Sequence, residues 1–297
     1  HLSNELDRRH RLVRAQAIER LGARRVSRYR FRNYLFQRYL YDSLDPVERS
    51  YLHEDVGSVL EELHAGQRGE ISAIAPQLAW HFQEAGIAEK AIHYLHQAGE
   101  RAVQLSAYQE GITHLTNGLE LLEALPDPGD ADGRLARDEQ ELALQRALSL
   151  AWQGMKGAQA SEVELAHARA RELCQKLGRP SQLSKVAGEE STMCYVRAEL
   201  QRARSLAEEA LDLGQQAQDP LLVAQAHWYL GLSLFSMGEL TAARAHLEQM
   251  IDFYEPEQHH RALVFLRGSD AGLGALAYAA CCLWCLGYRD EALAYSQ

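Results

Sequence analysis

Long apolar runs are missing from this sequence: no stretch approaches eighteen uncharged apolar residues, which excludes a membrane-spanning helix. The amino terminus, His1 to Arg14, is highly charged where a secretory leader would be apolar. A soluble, cytoplasmic chain is expected. Cysteine is scarce and odd in number, and Cys174, Cys194, Cys281, Cys282 and Cys285 lack the even, regular spacing of a disulfide framework. Reduced thiols follow. The motifs of hydrolytic chemistry are absent too. No Gly-x-x-x-x-Gly-Lys-Ser/Thr loop cradles a phosphate, no His-Glu-x-x-His pair binds zinc, and no Gly-x-Ser-x-Gly turn presents a nucleophile. The expectation is a chain with no catalytic residue, no metal site and no cofactor.

What is present is helix-forming and unevenly charged. Residues 1–49 hold 12 Arg against 6 acidic residues and the remainder 19 basic against 35 acidic, so the two parts carry +6 and −16. Segment 1–25 reads as one or two amphipathic helices striped by Leu12, Val13, Ile18 and Leu21, with Gly22 as a stop. The period then shortens, and Val26 to Phe31 alternates as a short strand does. Tyr34, Leu35, Tyr39 and Leu40 return to helical spacing, and Asp45-Pro46 opens a further helix through Leu63 as cap and first-turn proline. Helices around one short strand suggest a winged-helix-like remnant.

From Ile71 the chain reads as paired helices. Leu230-Gly231, Leu234, Gly238, Ala243, Leu247 and Met250 fall at the spacings of the 34-residue tetratricopeptide (TPR) pattern. Ala79, Phe82, Gly86, Ala91, Leu95 and Ala98 fit it again, as do Ala280, Leu283, Gly287 and Ala292. Ala79, Ala91, Gly231, Ala243, Ala280 and Ala292 are the expected close-approach points, because larger side chains there would push crossing helices apart. The steps from Ala203 to Ala243 to Ala292 are 40 and 49 residues, which excludes a strict 34-residue array. Residues 108–124 form one more helix, and Pro126 to Asp130 break the pattern. After the break come a helix from Leu135 to Trp152, a capping-box spacing at Ser161 to Glu164, and a cap-and-proline start at Asp219-Pro220. The expected fold is all-α, a TPR-like α–α superhelix (solenoid) behind the small amino-terminal remnant. Its expected parts are a winged-helix-like segment 1–65, first repeats 66–124, a linker 125–134, and further repeats 135–297.

Several residues invite functional readings. In TPR arrays the first helix of each pair lines the concave face, and its usual lining positions here hold Trp80, then Trp228, Leu232 and Phe235, then Trp284. These are the candidate partner-binding residues, since Trp carries much of the energy at interfaces, and the other reading is that the same rings pack against the next helix of the superhelix. Cys282-Leu-Trp-Cys285 has half-site spacing but no second pair to complete four ligands, so buried thiols are expected. His93, His96 and the doublet His259-His260 are expected to be solvated or capping. Arg24, Arg25, Arg28, Arg30 and Arg32 could meet phosphate, but docking on an acidic protein surface is favoured over DNA.

One stretch resembles a known family. Arg28-Tyr-Arg-Phe-Arg-Asn-Tyr-Leu-Phe-Gln-Arg-Tyr-Leu-Tyr41, with Glu48-Arg49 and Leu52-His53, is similar to the segment following the nucleotide-binding core of large bacterial STAND-type AAA ATPases. Many of these resemble class III adenylate or guanylate cyclases. Leu78 to Gly86, Lys90 to Leu95, Gly238 to Arg244 and Leu283 to Gly287 are similar as well. The resemblance implies the carboxy-terminal part of a multidomain signalling protein, trimmed of its catalytic modules and cut at Gln297 soon after its last helix begins. The implied partners are a protein or peptide, including upstream ATPase or cyclase domains of the same polypeptide, or a small effector. Asn33 stands where that family commonly has histidine, so no role carries over to it.

Overall fold

The computed structural model describes residues 10–21, 24–64, 68–255, 257 and 270–295. These form two strands and thirteen helices, in two units that divide after Pro128. The first unit opens with β1 (Val13–Leu21) and β2 (Arg24–Phe31), followed by α1 (Tyr34–Ser43), α2 (Pro46–His64), α3 (Arg68–Glu84), α4 (Ala88–Gln104) and α5 (Tyr108–Ala124). The second comprises α6 (Ala131–Lys156), α7 (Ser161–Lys176), α8 (Pro180–Val196), α9 (Leu200–Gln216), α10 (Pro220–Ser236), α11 (Leu240–Phe253), α12 (Ala271–Leu286) and α13 (Arg289–Ala294).

The hairpin corrects the helical reading of residues 1–25 at Val13–Leu21 and from Arg24, and residues 1–9 lie outside the described residues. β1 pairs antiparallel with β2, Val13 opposite Phe31 and Ala15 opposite Tyr29, with an irregularity between Ala15 and Ala17. That extra residue resets the register, so Ile18 pairs with Ser27 where an unbroken ladder would pair it with Val26. The broken period looked helical. Gly22 lies outside the described residues, as do Pro256, His259 and His260. A second correction concerns Ser161. It is the first residue of α7 and not its cap, Ala160 takes the cap position without a side-chain hydrogen bond, and the Ser161 hydroxyl turns to Glu162. The two cap-and-proline starts form as read. Asp45 Oδ1 accepts from the Val47 N–H at 2.8 Å, and Asp219 Oδ1 from Leu221 and Leu222 at 3.1 and 3.3 Å.

A regular stop signal sets the repeat. Gly178, Ala198, Gln218 and Gly238 lie twenty residues apart, and all have left-handed backbone, with φ between 52° and 82°. After each, the next N–H returns to a carbonyl five residues back, as from Glu239 to Leu234 at 2.9 Å, satisfying a helix end that would otherwise be orphaned. Helix plus turn is therefore twenty residues, and a pair is forty. The first unit repeats the device at Gly86 and Ser106. Left-handed backbone costs a side-chain-bearing residue roughly 1 kcal/mol that glycine is spared. Ala198 is exposed and gives up no packing, so Ala198→Gly is expected to stabilise the chain by about that amount, read as a higher urea midpoint. An unchanged or lower midpoint would refute this account of the turns.

Small residues sit where helices cross. Ala79, Ala91, Ala243 and Ala292 are buried, and a Cβ added to Gly231 would lie 2.6 Å from Leu247 Cγ. Ala280 is only half-buried, and its neighbours Ala275 and Ala279 take the buried positions on α12. In the first unit Phe82 and Tyr94 stack across α3 and α4 at 5.7 Å, with Leu78 and Leu95 beside them in the core.

Candidate interaction surface

In the second unit α10 packs between α8 and α12, so alternate helices lie side by side. Phe235 stands forty residues after Tyr195, one full repeat, which brings aromatic side chains from neighbouring helices to the same level. Tyr278 of α12 completes the set. Its ring meets Phe235 edge-on at 5.1 Å and Trp228 at 5.8 Å, geometry that contributes beyond simple burial. The Tyr278 side chain neighbours Tyr195, whose hydroxyl accepts from Ser236 Oγ at 3.1 Å. Burial first, then the neighbouring Tyr195, pushes the Tyr278 hydroxyl above the ordinary phenol range. Gly274 makes room for this floor, since a Cβ there would lie 2.8 Å from Trp228 Cη2.

The candidate residues thus fall in three places. Trp228 and Phe235 are half-buried and joined through Tyr278, and Leu232 is half-buried between them on α10. Trp284 on α12 is 56% exposed, with the Arg289 guanidinium 5.6 Å above its ring. Trp80 belongs to the other unit, where it is 47% exposed and its indole lies 4.7 Å from His53. Sequence reasoning missed Tyr195 and Tyr278. A forty-residue step back from Phe235 would have found the first.

The cysteine and histidine readings resolve locally. Cys282 is fully buried and its thiol is pushed up to about 11, by burial first and then by Cys281, whereas Cys285 is exposed. The two thiols of Cys282-Leu-Trp-Cys285 therefore occupy different environments. His93 pairs with Gln97, and His96 lies 3.6 Å from Glu100. Among the described residues, no group of three or more His, Cys, Asp or Glu side chains is placed to hold a metal ion. None of the described helices is long and apolar enough to cross a membrane.

Two further surfaces are defined. On the hairpin, Arg14 stands directly opposite Arg30, an unfavourable pairing of like charges, and both line a cavity of about 650 Å³ with Arg32 and Phe31. Arg32 Nε donates to the Val13 carbonyl at 3.0 Å. The side chains of Arg24, Arg25 and Arg28 lie outside the described set. On α1, no residue is buried, and Tyr34, Leu35, Phe36 and Tyr39 are all exposed, Tyr39 to 72%.

No family model and no curated protein matches this chain. Among solved structures it is similar to BtubC (BKLC) from P. vanneervenii, at 16% identity and TM-score 0.52, covering 74% of this chain and 88% of that one. A Rap protein complexed with competence and sporulation factor is similar at 13% identity and TM-score 0.50, covering 88% of this chain and 67% of that one. A Podosopora anserina putative kinesin light chain with TPR-like repeats is 17% identical at TM-score 0.49, covering 69% and 90%. The first two likenesses are of fold, and among the described residues the fold is all-α, built of TPR-like helical repeats with one small two-stranded sheet.

Proposed function

We propose that this chain is a non-catalytic interaction module that regulates an ATPase or nucleotide cyclase carried in the same polypeptide. The aromatic floor of Tyr195, Trp228, Phe235 and Tyr278 is the observation that carries the interaction reading. Clustered Trp, Tyr and Phe side chains, here half-buried, are the residue types that dominate binding energy. The solved Rap protein of similar fold is complexed with competence and sporulation factor, which supports a peptide as the class of partner. A small effector is the narrower alternative.

The parentage rests on the sequence resemblance at Arg28 to Tyr41 and in the repeats, and the exposed apolar side chains of α1 support it as a face for an upstream domain. In this reading residues 1–65 meet the ATPase, 66–124 and 135–297 carry the repeats, and 125–134 is the joint. Five cysteines free of disulfides suit a cytoplasmic setting. A ligand that prefers one arrangement of the repeats shifts the equilibrium by its differential affinity.

The aromatic cluster is tested with peptides selected on the intact chain from a displayed random library. Phe235→Ala and Tyr278→Ala are each expected to weaken the selected peptides by about thirtyfold, the size of an interface hot spot, with the far-ultraviolet spectrum unchanged. Unchanged affinity would remove the aromatic cluster from the proposal. Regulation is tested separately, by nucleotide turnover of a polypeptide joining the ATPase to this chain, with and without residues 71–297. Equal rates under all conditions would count against it. The opposed Arg14 and Arg30 favour one second reading, a transcriptional regulator whose hairpin contacts DNA. Salt-dependent duplex binding by the intact chain would support it, and no binding at low salt would eliminate it.

A further inference from the structure

Helix α1 spans ten residues and buries none of them, and a helix this short has little stability of its own. Its fastening is therefore informative. The Tyr41 hydroxyl lies 2.9 Å from His53 Nε2 on α2, and the Arg49 guanidinium sits 5.0 Å from the centre of the Tyr41 ring. His53 is in turn buried against α3, its Nδ1 3.0 Å from His81 Nδ1, with the Trp80 ring edge-on to it. Tyr41, His53 and His81 form one hydrogen-bonded line across three helices.

Proton counting shows what this line tolerates. An Nδ1 to Nδ1 hydrogen bond needs one N–H and one lone pair, which two neutral imidazoles supply. One added proton can still be placed, because the accepting Nδ1 keeps its lone pair. A second leaves two N–H groups aimed at each other in a buried site, and that arrangement cannot hold. The charges facing the pair are Arg49 on α2 and Glu84 on α3, and α1 presents the Tyr41 hydroxyl. Among the described residues neither imidazole has a carboxylate within ion-pair distance. Two protonated rings are driven apart, and movement of His53 out of that opposition breaks its bond to Tyr41.

We propose that the His53–His81 pair is a proton-operated catch, which holds α1 against α2 while the pair shares its hydrogen bond and releases α1 when both rings are protonated. Burial, the largest influence on each imidazole, lowers its proton affinity below the ordinary range. For His53, Glu84 partly offsets this and Arg49 reinforces it, and for His81 the neighbouring His53 reinforces it. The catch therefore stays closed at neutral pH and opens on acidification. Release would reorient Tyr34, Phe36 and Tyr39, the exposed aromatic residues of α1. This inference does not depend on the parentage proposed above.

The test is amide hydrogen exchange of residues 34–43 in the full chain, at about pH 7.5 and about pH 5, corrected for the intrinsic rate. Protection of α1 is expected to fall about tenfold more at the lower pH than protection of α4, which lacks such a pair. His81→Gln keeps a hydrogen-bonding side chain that does not titrate, and it is expected to retain protection at neutral pH and lose the acid response. Tyr41→Phe removes the fastening and is expected to expose α1 at both pH values. If His81→Gln loosens α3 itself, Tyr41→Phe alone decides. An acid response that persists in either variant, or none in the parent chain, would overturn the catch.

Discussion

Gly231→Val is expected to lower the stability of the second unit by about 3 kcal/mol, and Leu247→Ala by a similar amount. The two faults have opposite sense. An added Cβ at Gly231 meets Leu247 Cγ and Cδ2 at 2.6 Å, and Leu247 is fully buried, so it has no solvent to swing into. Truncating Leu247 leaves an empty volume at the same crossing of α10 and α11. The double variant is therefore expected to lose less than the sum, because the new side chain enters the space the leucine vacated. Urea denaturation of the four proteins measures this coupling directly. Additive losses would mean that Gly231 and Leu247 do not meet, and the argument that small residues set the helix spacing would fall with them.

That crossing was readable in advance because the TPR spacing places a small residue at Gly231 and a large one at Leu247. Other parts of the structure carry no such signal. Gly86, Gly238 and Gly287 announce their turns by residue type, but Ser106, Ala198 and Gln218 adopt the same left-handed backbone and announce nothing. The interval of twenty residues is the better guide. The candidate floor was half legible. Trp228 and Phe235 follow from position, whereas Tyr278 lies on α12 ahead of Ala280, where the sequence match to the repeat begins. The step to that helix is 49 residues and not forty, so counting from α10 does not reach it. The hairpin was misread because a bulge disguised the alternation. Histidine pairs are invisible to any local pattern, since His53 and His81 are 28 residues apart and His227 and His246 are 19 apart. Only packed antiparallel helices bring such partners together.

Those histidines give the other large expected effect: the second unit should lose stability as pH falls below about 6.5, the unperturbed value for imidazole. His167 is buried, and burial is the main cause of its lowered proton affinity. Glu189 and Glu190 oppose that shift, while Arg146 and Arg171 add to it. His227 and His246 face each other at 2.8 Å across α10 and α11, and burial again depresses both. For His227 the second cause is His246, and for His246 the pull of Glu208 is opposed by Arg204. A histidine whose folded-state pKa lies below its unfolded value binds protons first in the unfolded chain. Its contribution is complete above about pH 6.5 and is lost as pH falls through the folded value. On the alkaline side the Tyr254 hydroxyl, pushed up to about 12 by burial and by its hydrogen bond to Asp270, reverses the sense. Its contribution is present below about pH 10 and fades as pH rises toward 12. Urea midpoints should therefore be highest between these limits. His167→Gln and His246→Gln should each flatten the acid limb without altering the alkaline one. A midpoint that holds or rises at about pH 5.5, or an acid limb as steep in both variants as in the parent chain, would show that these imidazoles are not held neutral by the fold.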